Sequence, residues 1–277
     1  MRILSIIGTR PEAVKMAPVI KQLESTGAVS SYVCVTAQHR NLLDQVLSVF
    51  EITPDFDLNL MRANQSLFEL TSEVLTNLEP LLKRLNPDWI LVQGDTTTAM
   101  AASLAAFYQK IPLGHIEAGL RTRDKYQPYP EEINRRITII IADFHFAPTE
   151  SARDNLLREG IAGNRVLVTG NPVIDAIQSV SQMPEPAQIA ELLASFNLSS
   201  PLNQQIPAQR MVLVTAHRRE NFGAQIENIC YALDRLADMY QGTVKFVYPV
   251  HPNPNIQEPV YRLLSQNENI FLVPPLA

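Results

Sequence analysis

At 277 residues, 46% of them hydrophobic and 18% charged, the chain is long enough to bury one large core or two of ordinary size. A net charge of -5 excludes the dominant basic face that a nucleic-acid-binding protein needs. Its 2 cysteines, Cys34 and Cys230, form no CxxC pair and no ligand-spaced cluster with histidine, which argues against a disulfide framework or a metal site and fits a reducing, cytoplasmic compartment.

The elements alternate from the first residues. ILSII at 3–7 reads as a strand that meets Gly8 too soon for the apolar region of a secretory leader. The segment that follows, PEAVKMAPVIKQLESTG, reads as a helix with Pro11 in its first turn and Gly27 as its stop. A glycine turn between them, with Arg10 and Lys15 close by, is either a phosphate cradle at a helix N-terminus or a tight turn with solvated charges. SYVCVT at 31–36 and WILVQ at 89–93 are the next strands, the second followed by the alanine-rich helix TTTAMAASLAAFYQK. Asp95 and Thr96 are both candidates for its N-cap.

PLGHI at 112–116 delivers Glu117, a carboxylate leaving an apolar strand, where partial desolvation suits general acid–base work near neutrality. Arg121 and Arg123 follow in a loop, and PYPEEINRR opens a new helix on which Glu131 and Arg135 stand four apart and share a face. That spacing equally describes a surface ion pair beside an acidic first turn. ITIIIADFHF at 137–146 is interrupted by Asp143 and is too short to span a membrane, so no membrane partner is expected. Its His145 reads as structural. RVLVTG at 165–170 closes the first series.

Strand and helix in alternation imply a parallel sheet flanked by helices, with ligands at the carboxyl ends of the strands. Prolines, Ser and Gln gather over 171–210 and mark a hinge, which divides the chain into domains at 1–172 and 173–277. A second series, MVLVTAH, NFGAQIENICYALDRLADMY, TVKFVYPVH and NIFLVPP, then ends on its third strand and looks incomplete. His217 and His251 stand at equivalent strand ends there, and His39 in AQHR repeats the pattern in the first domain.

With GTRPEAVKMAP, VTAQHR, GDTTT, GHIEAGLRT, PYPEEINRR, TAHRREN and VYPVHPNPN in this order, the chain resembles the non-hydrolysing UDP-N-acetylglucosamine 2-epimerases of bacteria along its whole length. The resemblance implies the GT-B architecture, two Rossmann-like domains with parallel sheets facing a cleft, the second cut short here. Family members continue through DSGGxQEEA and TERPE segments that help hold the nucleotide.

The resemblance further implies reversible inversion at C2 of UDP-N-acetylglucosamine to UDP-N-acetylmannosamine, for surface polysaccharide precursors. The route is anti elimination of UDP through 2-acetamidoglucal, followed by re-addition. Asp95, Glu117 and Glu131 match acid–base positions, and His217 matches a histidine that assists UDP departure and return. Arg10, Lys15, Arg135 and His251 match positions that meet the substrate, and Gln38 and His39 match a second, activating site. Neither a nicotinamide nor a metal cofactor is implied, and the partners are the nucleotide sugar and, at full length, a second copy of the chain. The alternatives are an inactive or merely nucleotide-sugar-binding fragment, and a hydrolysing 2-epimerase that releases ManNAc and UDP.

Overall fold

A computed structural model of the chain describes residues 1–36, 40–60, 62, 65–196, 198, 210–216 and 221–275. It divides into two compact units, Met1–Gln182 and Met183–Ala277.

Among the described residues of the first unit seven strands form one sheet in the order β3-β2-β1-β4-β5-β6-β7. They are β1 (Arg2–Ile7), β2 (Ser30–Val35), β3 (Phe56–Asp57), β4 (Trp89–Gln93), β5 (Leu113–Ile116), β6 (Phe144–Ala147) and β7 (Val166–Val168). Every pairing is parallel. The crossovers are α1 (Arg10–Glu24), α2 (Arg40–Val49), α3 (Leu67–Leu85), α4 (Thr97–Tyr108), α5 (Glu131–Ile141) and α6 (Glu150–Arg158), and α7 (Pro172–Ser181) follows β7. Strand order reverses between β1 and β4, the switch point where such sheets open a crevice at their carboxyl ends.

Helix α4 packs close to that point because its side chains are small. Ala99, Ala101, Ala102, Ala105 and Ala106 are all buried. At its start Thr98 lies so near β1 that a Cβ on Gly8 would stand 2.3 Å from the Thr98 Oγ1. Thr98 also hydrogen-bonds Thr36 at the end of β2, at 3.1 Å. Gly8 is therefore set by close packing of protein on protein. Gly8→Ala is expected to cost about 1–3 kcal/mol by overpacking, seen as a lower Tm in thermal unfolding. Gly27→Ala, where nothing lies within 4 Å, is expected to leave the Tm unchanged or slightly raised.

The second unit holds a three-stranded parallel sheet, β10-β9-β8, built from β8 (Arg210–Leu213), β9 (Val244–Pro249) and β10 (Ile270–Val273). Helices α8 (Ala187–Ser195), α9 (Ala224–Met239) and α10 (Pro254–Leu264) complete it. Ile226, Cys230, Phe246, Tyr248, Ile256, Val260 and Leu264 form its core, and the Tyr248 hydroxyl donates to the Ala216 carbonyl at 2.7 Å. Strand β8 is an edge, exposed at all four positions. The α/β class, with a parallel sheet in each unit, agrees with the expectation from sequence. Among the described residues no helix is long and apolar enough to cross a membrane.

Candidate functional site

The turn after β1 shows what its glycine and its donors are for. Glu12, buried in the first turn of α1, folds back so that its Oε2 accepts from Gly8 N–H at 3.0 Å, Thr9 N–H at 2.6 Å and the Thr9 hydroxyl at 2.8 Å. Its Oε1 accepts from the Thr96 hydroxyl at 2.7 Å. Burial raises the Glu12 carboxyl above the usual carboxylate range, with the hydrogen bonds from Thr96, Thr9 and Gly8 opposing it. The Gly8 and Thr9 amides of this turn, candidates for a phosphate from sequence, are both engaged by Glu12. Thr96 is the N-cap of α4, accepting from Ala99 N–H at 3.0 Å, which leaves the neighbouring Asp95 for other partners. Arg10, the first residue of α1, is exposed and its side chain makes no hydrogen bond or ion pair among the described residues.

Glu117 leaves β5 in a left-handed backbone conformation, φ 63°, which is strained for a residue with a Cβ. Pairing of Gln93 with Ile116 across β4 and β5 sets the Gln93 amide beside it. Glu117 Oε2 accepts from Gln93 Nε2 and from Lys15 Nζ, each at 2.5 Å, and its Oε1 accepts from Asn171 Nδ2 at 2.7 Å. The carboxylate is buried, as expected for a residue leaving an apolar strand. It is not isolated, because a cation and two amides gathered from three other segments meet it there.

Asp95, at the end of β4, is held by Arg135 of α5, whose guanidinium bonds both Asp95 Oδ2 and Glu132 Oε2, the latter at 2.9 Å. Asn134 adds a hydrogen bond to the Asp95 carbonyl at 3.1 Å. The expected Glu131–Arg135 pair is thus replaced by Glu132–Arg135. Glu132 points inward, where Thr122 N–H reaches it at 3.2 Å and Arg136 Nη2 at 3.1 Å. Burial pushes its carboxyl up, but the Thr122 amide and the Arg136 and Arg135 guanidiniums outweigh it and hold the group below the usual range. Glu131 is half-buried, and its Oε2 is enclosed without a hydrogen-bond partner among the described residues.

Beneath these turns His115 of β5 and His145 of β6 lie side by side in register, both fully buried. His115 Nε2 bonds the Gly94 carbonyl at 2.7 Å. A carbonyl only accepts, so Nε2 carries the proton; Nδ1 is bare and has no partner among the described residues. Among the described residues neither nitrogen of His145 has a partner. Burial pushes His115 down to about 3 and His145 down to about 4.

The first unit therefore brings Lys15 to Glu117 and Arg135 to Asp95. His251 lies in the second unit, exposed past β9, its Nδ1 accepting from Asn253 N–H at 3.1 Å. Gln38, His39 and His217 lie outside the described residues. Sequence reasoning missed Glu12, Gln93, Glu132, His115 and Asn171. Of these Asn171, a capping residue before a helix-starting proline, and Glu12, three residues after Thr9 in a capping box, carried a local signal. Among the described residues no group of three or more His, Cys, Asp and Glu is placed to hold a metal ion. The arrangement sets two carboxylates at adjacent strand ends, each beside a cation from a flanking helix, which suits proton transfer next to a negatively charged group.

Residues 21–277 match the family model for UDP-N-acetylglucosamine 2-epimerase. The UDP-N-acetylglucosamine 2-epimerase of Salmonella typhimurium is 52% identical over 279 residues, an alignment covering 99% of this chain and 72% of the relative. The crystal structure of UDP-GlcNAc 2-epimerase from Neisseria meningitidis bound to UDP-GlcNAc is 50% identical with a TM-score of 0.83, covering 100% of this chain and 73% of that one. A structure from Listeria monocytogenes, described as a UDP-N-acetylglucosamine 2-epimerase, superposes with a TM-score of 0.87 at 42% identity, covering 100% of this chain and 69% of that one. Motifs, fold and relatives agree: the chain belongs to the UDP-N-acetylglucosamine 2-epimerase family.

Proposed function

We propose that this chain interconverts UDP-N-acetylglucosamine and UDP-N-acetylmannosamine by anti elimination and re-addition of UDP. A base takes the C2 proton as the C1–oxygen bond to UDP breaks, leaving 2-acetamidoglucal. UDP then re-adds at C1 while an acid delivers a proton to the other face of C2. The observation that carries this reading is the pair of carboxylates at neighbouring strand ends, Asp95 and Glu117, each coupled to a cation.

Asp95, Glu117 and Glu131 are the acid–base groups, and His217 assists departure and return of UDP. Arg10, Lys15, Arg135 and His251 meet the substrate. Lys15 and Arg135 are shared between carboxylate and diphosphate, so an arriving diphosphate draws part of their charge and loosens the carboxylates for proton transfer. Gln38 and His39 form the second, activating site. The working assembly is a homodimer, to which the exposed Phe107 and Tyr108 of α4 and Ile133 and Ile140 of α5 offer an apolar face. The product serves surface polysaccharide synthesis.

Incubating the 277-residue chain with UDP-N-acetylglucosamine in deuterated water, followed by NMR, tests the reading. The expected result is UDP-N-acetylmannosamine carrying deuterium at C2. Free ManNAc with UDP would replace it by the hydrolysing reaction, and nucleotide sugar without deuterium would refute turnover by this chain.

A further inference from the structure

We infer that Asn171 is a positioning residue for Glu117, its amide aimed by the cap it makes on α7; the inference rests on Glu117 being an acid–base group. Asn171 has an extended backbone, φ -105° and ψ 120°, the conformation that both an N-cap and a residue before proline adopt. Its Oδ1 accepts from Val173 N–H at 3.1 Å. With that oxygen committed, the amide nitrogen has one direction left, and there it donates to Glu117 Oε1 at 2.7 Å. One side chain thus starts a helix and orients a carboxylate.

The two oxygens of Glu117 are not equivalent. Among the described residues, the groups facing the carboxylate are the Lys15 ammonium from α1 and the Gln93 amide from β4, both on Oε2, and the Asn171 amide on Oε1. Oε1 carries a single neutral donor and keeps a lone pair for a proton. Asn171 fixes the rotation of the carboxylate and so the direction in which that lone pair points. This is geometry on which a proton transfer depends steeply.

Replacements at 171 separate the cap from the amide. Asn171→Asp keeps the cap but turns an acceptor with negative charge toward Glu117; Asn171→Ser keeps the cap and removes the amide; Asn171→Ala removes both. The expected Tm order at pH 7 is wild type and Ser together, with Asp lower because its carboxylate stands against Glu117 and recovering as pH falls, and Ala lowest through the lost cap. The expected order of kcat for C2 exchange is different: Asp falls lowest, by about 100-fold, below Ala, with KM changed much less. Its acidic limb moves to higher pH, because two adjacent carboxylates retain a proton between them.

Wild-type kcat and pH profile in Asn171→Asp, or kcat that simply follows Tm with Ala lowest, would overturn the inference. Glu117→Gln in the same series separates the two levels: exchange by that variant at the wild-type rate refutes the acid–base role of Glu117. An inactive Glu117→Gln beside a fully active Asn171→Asp refutes Asn171 alone. A readout independent of turnover is the Asn171 side-chain amide resonance, identified by its loss in Asn171→Ser. It is expected to shift in Glu117→Gln, and an unmoved resonance also overturns the inference.

Discussion

Glu117→Gln is expected to lower C2 hydrogen exchange by about 100- to 10,000-fold, the range that a positioned acid or base contributes. The substitution keeps shape and removes charge. A glutamine carbonyl facing Lys15 and Gln93 still accepts from both, while its amide then opposes the Asn171 amide, donor against donor. The lost ion pair with Lys15 and the opposed donors lower the Tm, while substrate affinity changes little, since Lys15 gains freedom to meet a diphosphate. NMR of the C2 position in deuterated water measures the rate, and calorimetric titration with UDP measures the affinity. An exchange rate equal to that of wild type would remove Glu117 from the chemistry. A proportionate loss of binding and rate would make it a substrate contact.

His145→Leu is expected to make the protein less sensitive to acid. The folded chain holds His115 at about 3 and His145 at about 4, against 6.5 for the unfolded groups, so only the unfolded chain takes up these protons as pH falls. The stability they contribute is complete above pH 6.5 and is lost as pH descends toward 4 and 3, amounting to about 2 kcal/mol for each histidine at pH 5. Glu12 works in the opposite direction, because its raised carboxyl favours the folded state as pH falls toward its unfolded value. It is common to both proteins and cancels in the comparison.

Leucine at 145 removes a titrating group and two enclosed nitrogens without partners, and its size is close to that of the imidazole. Thermal unfolding at pH 7 and pH 5 is expected to show a smaller drop in Tm for the variant than for wild type. Equal drops would show that His145 does not carry the acid sensitivity. His115 is unsuited to the same experiment, since its Nε2–H holds the Gly94 carbonyl beside Asp95.

Strands β1, β2, β4, β5 and β7 were legible because each is a short, largely apolar run with a turn signal after it. Strand β3 was not, being two residues long. Strand β6 was hidden because the isoleucines of α5 run almost directly into it, and Ala142–Asp143 is the whole of the break. Periodicity does not separate a helix from a strand across so short a connection.

In the site, Asp95 and Glu117 stood out as charges just past apolar strands, Lys15 as a cation in the helix after one, and Arg135 by its spacing from Glu131, whereas their partners depended on register. Gln93 reaches Glu117 only because β4 pairs with β5 at Gln93 and Ile116. Glu131 and Glu132 are chemically identical neighbours in one helical turn. Which of them turns inward depends on where the preceding loop places the Thr122 amide, and no local pattern encodes that path.

The cluster around Glu117 joins residues 102, 54 and 24 positions away in the chain. Such pairings form only after long loops have closed, so they are made late as the domain folds. On the ribosome the acidic strand end emerges well before the asparagine that orients it. A nascent chain holding β1 through β6 therefore already carries the carboxylates proposed for acid–base chemistry, yet Glu117 gains its full alignment only when the start of α7 follows.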